Sequence, residues 1–402
     1  MRDTLRGAAL VYGLLVAVFS LLAALLLAIL AVLGDGALRL APLTILVSVA
    51  ALGVGLGLPL AAAAWRSWQR RPSPALRLPP AWWLVLIFLG VLALGQLLLG
   101  VPVNVVLLPP LHVIASVLPP LLLIAAITPA MQRAGAGLTR RNLVVQFAYG
   151  GLVATFLAIM LEIAAFVGVF VWVFLGLGLL PESRADLARL TAVLQTGAAS
   201  PDPLQMLRAL LSPAVALGLG LLVAAAIPLL EEAIKSLGAW INGIVQGRLT
   251  RAQAFTFGVI AGVGFSFTEA LFYTAQLLPH GWAGGVVLRG LTAVIHGAST
   301  GLFALGWYEV MARRPARFWL YAAGGVAIHG VWNGLSGLVA LAGLVGLDGS
   351  VALQTASGLG VTVLVGLLAL TWLAALGVLI YQTRRLSAEL ARSGEGILET
   401  PG

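Results

Sequence analysis

Apolar runs long enough to cross a bilayer recur along the whole of this chain, and that recurrence restricts the fold more than any other feature. A run of about 18–20 predominantly apolar residues spans the hydrocarbon core as a helix. Here such runs occupy residues 8–33, 41–64, 81–103, 109–128, 147–180, 214–245, 252–274, 285–310, 318–345 and 351–381. They are continuous rather than two-periodic, which argues against a membrane β-barrel. The composition, 61% hydrophobic with only 9% charged residues, belongs to neither a soluble globular nor a disordered protein. The expected fold is all-α, a polytopic transmembrane helical bundle of about ten spans. The first apolar run follows a basic N-terminus, as in a signal peptide, but is too long and lacks a cleavage site, so it reads as an uncleaved span.

Charge placement supports the same topology. The net charge of +9 could suggest nucleic acid, yet the arginines sit in short connections between apolar runs. With the N-terminus in the cytoplasm, seventeen of the 23 basic residues fall on the inner side and four on the outer, with Lys235 and Arg289 inside spans. That bias is the positive-inside pattern, and it places both termini in the cytoplasm and excludes nucleic acid as the expected partner. The implied partner is the lipid bilayer. The chain has no cysteine, which removes disulfides and thiolate metal sites from consideration. The prolines at 109, 110, 119 and 120 make the fourth run a candidate for a re-entrant or broken helix. Residues 181–213 form the one sizeable polar loop, with short amphipathic stretches suited to the outer membrane surface. The tail from Thr383 is polar and expected to be loose.

Polar groups enter the apolar runs in one region. Residues Ile227 to Lys235 carry Glu231, Glu232 and Lys235, the only lysine in the protein. Moving such a group into hydrocarbon costs at least about 2.5–3.5 kcal/mol, so it tends to persist where something uses it. On a helix Lys235 is i+4 from Glu231 and i+3 from Glu232, so it can neutralise either carboxylate while the other points about 100° away. Three later spans add Glu269, His296, and His329 with Asn333, the last two sharing a helix face. Arg289, seven residues before His296, can snorkel to the outer surface. Glu162 reads as a packing residue, His112 and His280 as interfacial, and Glu309 as a surface partner of Arg313. Gly53/Gly57, Gly258/Gly262, Gly297/Gly301 and Gly330/Gly334 are small-residue pairs that let helix backbones approach closely.

Carboxylates, imidazoles and a carboxamide on four consecutive spans are a general-base and oxyanion-stabilising set. They are equally His and Glu ligands for zinc, with Glu231, Glu269, His296 and His329 as candidate ligands. Buried Glu, Lys and His are also the parts of a proton-coupled transporter.

Four motifs in order, Glu231-Glu-x-x-Lys235, Phe265-x-x-x-Glu269, the small-residue-flanked His296 and His329-x-x-x-Asn333, resemble those of the PrsW-type intramembrane proteases. That family falls in the wider superfamily of type II CAAX prenyl endopeptidases and bacteriocin-immunity-like membrane proteases. Lys235 and Glu269 stand where the CAAX branch has Arg and His, which argues against prenyl-protein cleavage. The resemblance covers roughly Leu143 to Gln382. It divides the chain into a four-span region of unknown role (1–142), a protease core (143–382) and a polar cytoplasmic tail (383–402). It implies hydrolysis, within the membrane, of a membrane-anchored protein such as an anti-sigma factor. The catalytic set it implies is Glu231, Glu232, Lys235, Glu269, His296, His329 and Asn333. In the residue reading, Glu231 or Glu232 activates water, His329 and Asn333 hold the oxyanion, His296 positions water or protonates the leaving amine, and Glu269 orients a histidine. The cofactor is either none or Zn²⁺; no His-Glu-x-x-His motif is present, which favours the metal-free form.

Overall fold

A computed structural model describes residues 2–35, 39–179, 213–246, 248–345, 351–393 and 398–399. Among these residues the chain forms ten helical stretches long and apolar enough to cross a membrane. In order they are α1 (Arg2–Asp35); α2 (Leu40–Leu52) and α3 (Leu58–Trp68); α4 (Ala81–Leu98); α5 (Asn104–Arg133); α6 (Arg140–Ala148) and α7 (Thr155–Leu179); α8 (Pro213–Leu221) and α9 (Ile227–Gln246); α10 (Arg251–Ala275); α11 (Trp282–Met311); α12 (Pro315–Val345); and α13 (Val351–Ser393). The α2–α3, α6–α7 and α8–α9 spans are each continuous through a π-helical turn, at Gly53–Gly57, Tyr149–Ala154 and Leu222–Ala226. Helix is the expected answer in lipid, because every backbone N–H and C=O must be satisfied inside its own segment. The loop expected over 181–213 lies almost entirely outside the described residues.

The chain divides into two compact units. The first comprises Met1–Phe156, Glu232–Gly325 and Ala375–Gly402, and the second Leu157–Glu231 and Val326–Ala374. At the centre of the first unit lie α10 and α11, whose spans are 89% and 72% buried, against 11% for α1 and α4. Those outer helices present Leu, Phe, Ile and Trp side chains outward, as a lipid-facing surface does.

Glycine decides how closely α10 and α11 approach. A Cβ at Gly258 would stand 2.6 Å from the Thr300 carbonyl oxygen, and one at Gly262 would collide with the His296 carbonyl oxygen. From the other side, a Cβ at Gly301 would meet the Phe255 ring at 2.8 Å, and one at Gly297 the Val263 side chain at 3.3 Å. These two glycine pairs therefore set the register that puts His296 and Thr300 on the α10 side. The π-helical turn at Tyr149–Ala154 packs on the other face of α10. There Thr268 Oγ1 donates to the Gly151 carbonyl at 2.7 Å, satisfying an acceptor that the irregular turn presents. In the second unit, Gly330 of α12 packs against the Ala224 carbonyl in the π-helical turn ahead of α9.

Several expectations are corrected. The proline-rich fourth span is neither re-entrant nor broken: α5 runs unbroken through Pro109, Pro110, Pro119, Pro120 and Pro129. It packs against α2, α4, α10 and α11, and such neighbours hold a helix whose internal hydrogen bonds proline has removed. His112 is not interfacial. It is fully buried, accepts from Trp282 Nε1 at Nδ1 (3.0 Å) and donates from Nε2 to the Leu271 carbonyl (2.9 Å), so it ties α5 to α10 and α11. Glu309 is not a surface partner of Arg313. It is fully buried, with Arg251 at 3.1 Å and Arg314 at 2.9 Å. The segment from Thr383 is not loose as far as Ser393: it continues α13, buries Leu386, and holds Glu389 against Arg251 at 2.8 Å. Beyond it, Leu398–Glu399 pairs antiparallel with Arg248–Leu249.

Gly262→Leu is expected to lower stability by about 1–3 kcal/mol, the usual cost of overpacking. The measurement is thermal unfolding in detergent, with Gly90→Leu, a site with open space around it, as the control. Equal melting temperatures for the two variants would refute the close-approach account.

Candidate functional site

The second half of α8–α9 delivers Glu231 and Glu232 as consecutive residues of one helix, and they take different partners. Glu232 and Lys235 form an ion pair at 2.6 Å, both side chains fully buried. The other Glu232 oxygen accepts from Thr300 Oγ1 at 2.6 Å. So Lys235 serves the i,i+3 carboxylate, and Glu231 is left to a different direction, as the 100° step of a helix requires.

In the first unit the chain of contacts runs on from Lys235. Its ammonium lies 3.1 Å from His296 Nδ1 and 4.4 Å from the centre of the Phe265 ring. His296 Nε2 in turn lies 2.8 Å from Glu269 Oε2. An ammonium can only donate, so Nδ1 accepts and the remaining ring proton is on Nε2, directed at Glu269. Glu269 is also within 3.5 Å of Arg289, whose guanidinium stacks 4.1 Å from the Tyr273 ring. Two carboxylates and two cations thus alternate around a neutral imidazole, a charge-balanced row drawn from α9, α10 and α11. Such balance matters because unpaired charge in a dry interior is penalised by several kcal/mol. Ser236, next to Lys235, accepts from Trp307 Nε1 at 2.9 Å and adds a further tie between α9 and α11.

The second unit holds a smaller pair. Glu231 Oε2 lies 3.8 Å from His329 Nε2, with both residues buried. Asn333 follows one turn later on α12 and is half-buried.

Three contributors were not evident from the sequence. Arg289 does not simply snorkel but pairs with Glu269. Thr300 is an ordinary residue in a small-residue motif, although it stands i+4 from His296 and so shares its face. Phe265 opens the Glu269 motif, and its ring covers the Lys235 ammonium.

The donor chemistry of these side chains, carboxylate and imidazole, suits zinc. In the first unit the fit is poor. Both nitrogens of His296 are engaged, one by a lysine ammonium, and both oxygens of Glu232 are engaged as well. Ligation there would require displacing a cation. In the second unit Glu231 and His329 offer one oxygen and one nitrogen at a separation near the roughly 3.3 Å expected for two donors about 2.0–2.1 Å from a tetrahedral zinc.

Fold and site together define a polytopic membrane protein with carboxylates, a lysine and imidazoles buried within its spans. The PrsW family of intramembrane metalloproteases matches residues 139–372, more than half of the 402-residue chain, and the chain belongs to this family. No curated protein and no solved structure matches it.

Lys235→Met is expected to destabilise by about 3–5 kcal/mol, because it strands the buried Glu232 carboxylate. Adding Glu232→Gln should recover much of that loss, since no charge then remains unpaired. A double-mutant cycle by thermal unfolding in detergent tests this; strictly additive effects would mean that the two residues do not form the pair described.

Proposed function

We propose that this chain hydrolyses a peptide bond of a membrane-anchored protein inside the bilayer of a bacterial cytoplasmic membrane, with Glu231 as the base that activates water. The substrate class is the one the family resemblance implies, a single-span regulator of the anti-sigma-factor kind. The observation that carries the choice of base is the commitment of Glu232 to Lys235 and Thr300. A carboxylate held by an ammonium and a hydroxyl is a poor proton acceptor. Glu231 instead faces an imidazole across 3.8 Å, a gap that a water molecule beside the pair can bridge.

In the proposed reaction Glu231 takes a proton from that water as its oxygen attacks the scissile carbonyl carbon. His329 Nε2–H and the Asn333 amide donate to the oxyanion that forms. Collapse of the tetrahedral intermediate breaks the C–N bond, and Glu231 returns the proton to the leaving amine. Glu232, Lys235, His296 and Glu269 act as positioning residues: their row of contacts fixes the rotation of α9 and with it the direction of Glu231. In a metallo form Glu231 and His329 would hold zinc in place of acting as base and oxyanion donor, and the ion would polarise the carbonyl and acidify a bound water.

The test is cleavage of a panel of single-span substrates by the purified protein in proteoliposomes, with and without a zinc chelator. Glu231→Gln is expected to slow single-turnover cleavage by about 10²–10⁴-fold, and Asn333→Ala by about 10²–10³-fold, with Glu232→Gln retaining measurable activity. A dead Glu232→Gln beside an active Glu231→Gln would reverse the assignment of the base. Loss of activity on chelation, restored by zinc, selects the metallo form. No cleavage, together with proton flux that depends on Glu231, would replace the protease reading by a transporter.

A further inference from the structure

Away from the catalytic groups, the first unit contains a cavity of about 420 Å³ whose polar lining is rich in hydrogen-bond donors. It opens where the start of α1, the end of α3, the start of α6 and the end of α9 come together. The alternation of spans puts these four ends on one side of the membrane, the arginine-rich side. Arg2, Arg6 and Arg141 line it, with Ser73, Asn142 and Asn242, and no acidic residue does. Arg6 pairs with Asp3 at 2.9 Å, an acid outside the lining. Arg141 donates to the Arg71 carbonyl, and its backbone N–H to Ser73 Oγ at 3.1 Å, so the guanidinium is tethered at the cavity wall.

A second observation is independent of the arginines. Asn242 is only 7% exposed, and its carboxamide oxygen accepts from Gln246 at 2.8 Å. Its Nδ2 is buried without a hydrogen-bond partner among the described residues. An unmet buried donor costs about 1–3 kcal/mol, a cost relieved if an acceptor occupies the cavity. Three guanidinium side chains and an unmet amide donor ask for a multidentate anion, and phosphate is the one that arginine forks match best.

The surroundings indicate which phosphate. Trp65 and Trp68 at the end of α3 are about half exposed, and Trp68 lies over the start of α1 at Gly7. Tryptophan at this depth marks the headgroup level of a membrane, and basic pockets between spans on the arginine-rich side bind anionic headgroups. We infer that this cavity is a binding site for the phosphodiester headgroup of an anionic phospholipid. Its wall is coupled to α9: Tyr149, which also lines the cavity, donates to the Ile234 carbonyl at 2.8 Å, one residue before Lys235.

The test uses the full-length protein in a neutral detergent, reading bound lipid by native mass spectrometry and the melting temperature in parallel. Phosphatidylglycerol, phosphatidylcholine and inorganic phosphate are each titrated. Phosphatidylglycerol is expected to bind and raise the melting temperature, and phosphatidylcholine to do neither. The Arg6→Gln/Arg141→Gln variant should bind about thirty-fold more weakly, whereas Arg384→Gln/Arg392→Gln should bind like the wild type. Asn242→Leu provides a second variant that leaves the arginines in place; it should be more stable than the wild type without lipid and gain less from lipid. Equal binding by the wild type and the Arg6/Arg141 variant would overturn the site. Protection by inorganic phosphate but not by the lipid would overturn the assignment to a membrane headgroup.

Discussion

A lysine ammonium buried in an apolar interior is tolerable only if its surroundings replace the water it has lost. Lys235 finds those replacements on three helices: Glu232 on its own, the Phe265 ring on α10 and His296 on α11. The demand runs outward from there. Glu232 takes a hydroxyl from Thr300, and His296 takes a carboxylate from Glu269, which Arg289 neutralises. Removing one charged member alone strands its partner's charge in a low-dielectric region.

Packing makes that row attainable. Contacts of 2.6–3.1 Å between side chains on different helices need backbones closer than bulky residues permit. The glycines at 258, 262, 297 and 301 supply that closeness: Gly258 and Gly262 lie against the Thr300 and His296 carbonyls, and Gly297 and Gly301 against Val259, Val263 and Phe255 of α10. The small-residue pairs and the polar motifs are therefore one device: the first sets the register in which the second can meet. The same logic appears with α12, where Gly330, next to His329, packs on the turn that leads into α9.

The adjacent glutamates divide two tasks. Glu232 is absorbed by the charge balance around Lys235, and its carboxylate is not available as a strong proton acceptor while that pair stands. Glu231, one residue earlier, points toward a different helix and a histidine. A helix turns about 100° per residue, so two identical side chains in succession meet two different environments.

Sequence alone determined the class of the fold, its ten spans and the identity of the polar residues that interrupt them. The reason is physical: hydrocarbon imposes one length and one secondary structure on every crossing, and charge inside a crossing stands out against its surroundings. The family, too, was legible in four short motifs, because each combines a charged or polar group with a spacing that few apolar segments contain. What only the tertiary structure decided is partnership. Either glutamate could have served Lys235 by spacing, Arg289 and Glu309 read as surface charges, His112 as interfacial, and Thr300 as background. Each acquired its role from a neighbour far away in sequence, through close approaches between helices. Local pattern fixes which residues cost energy in a membrane; the packing of other helices fixes how that cost is met.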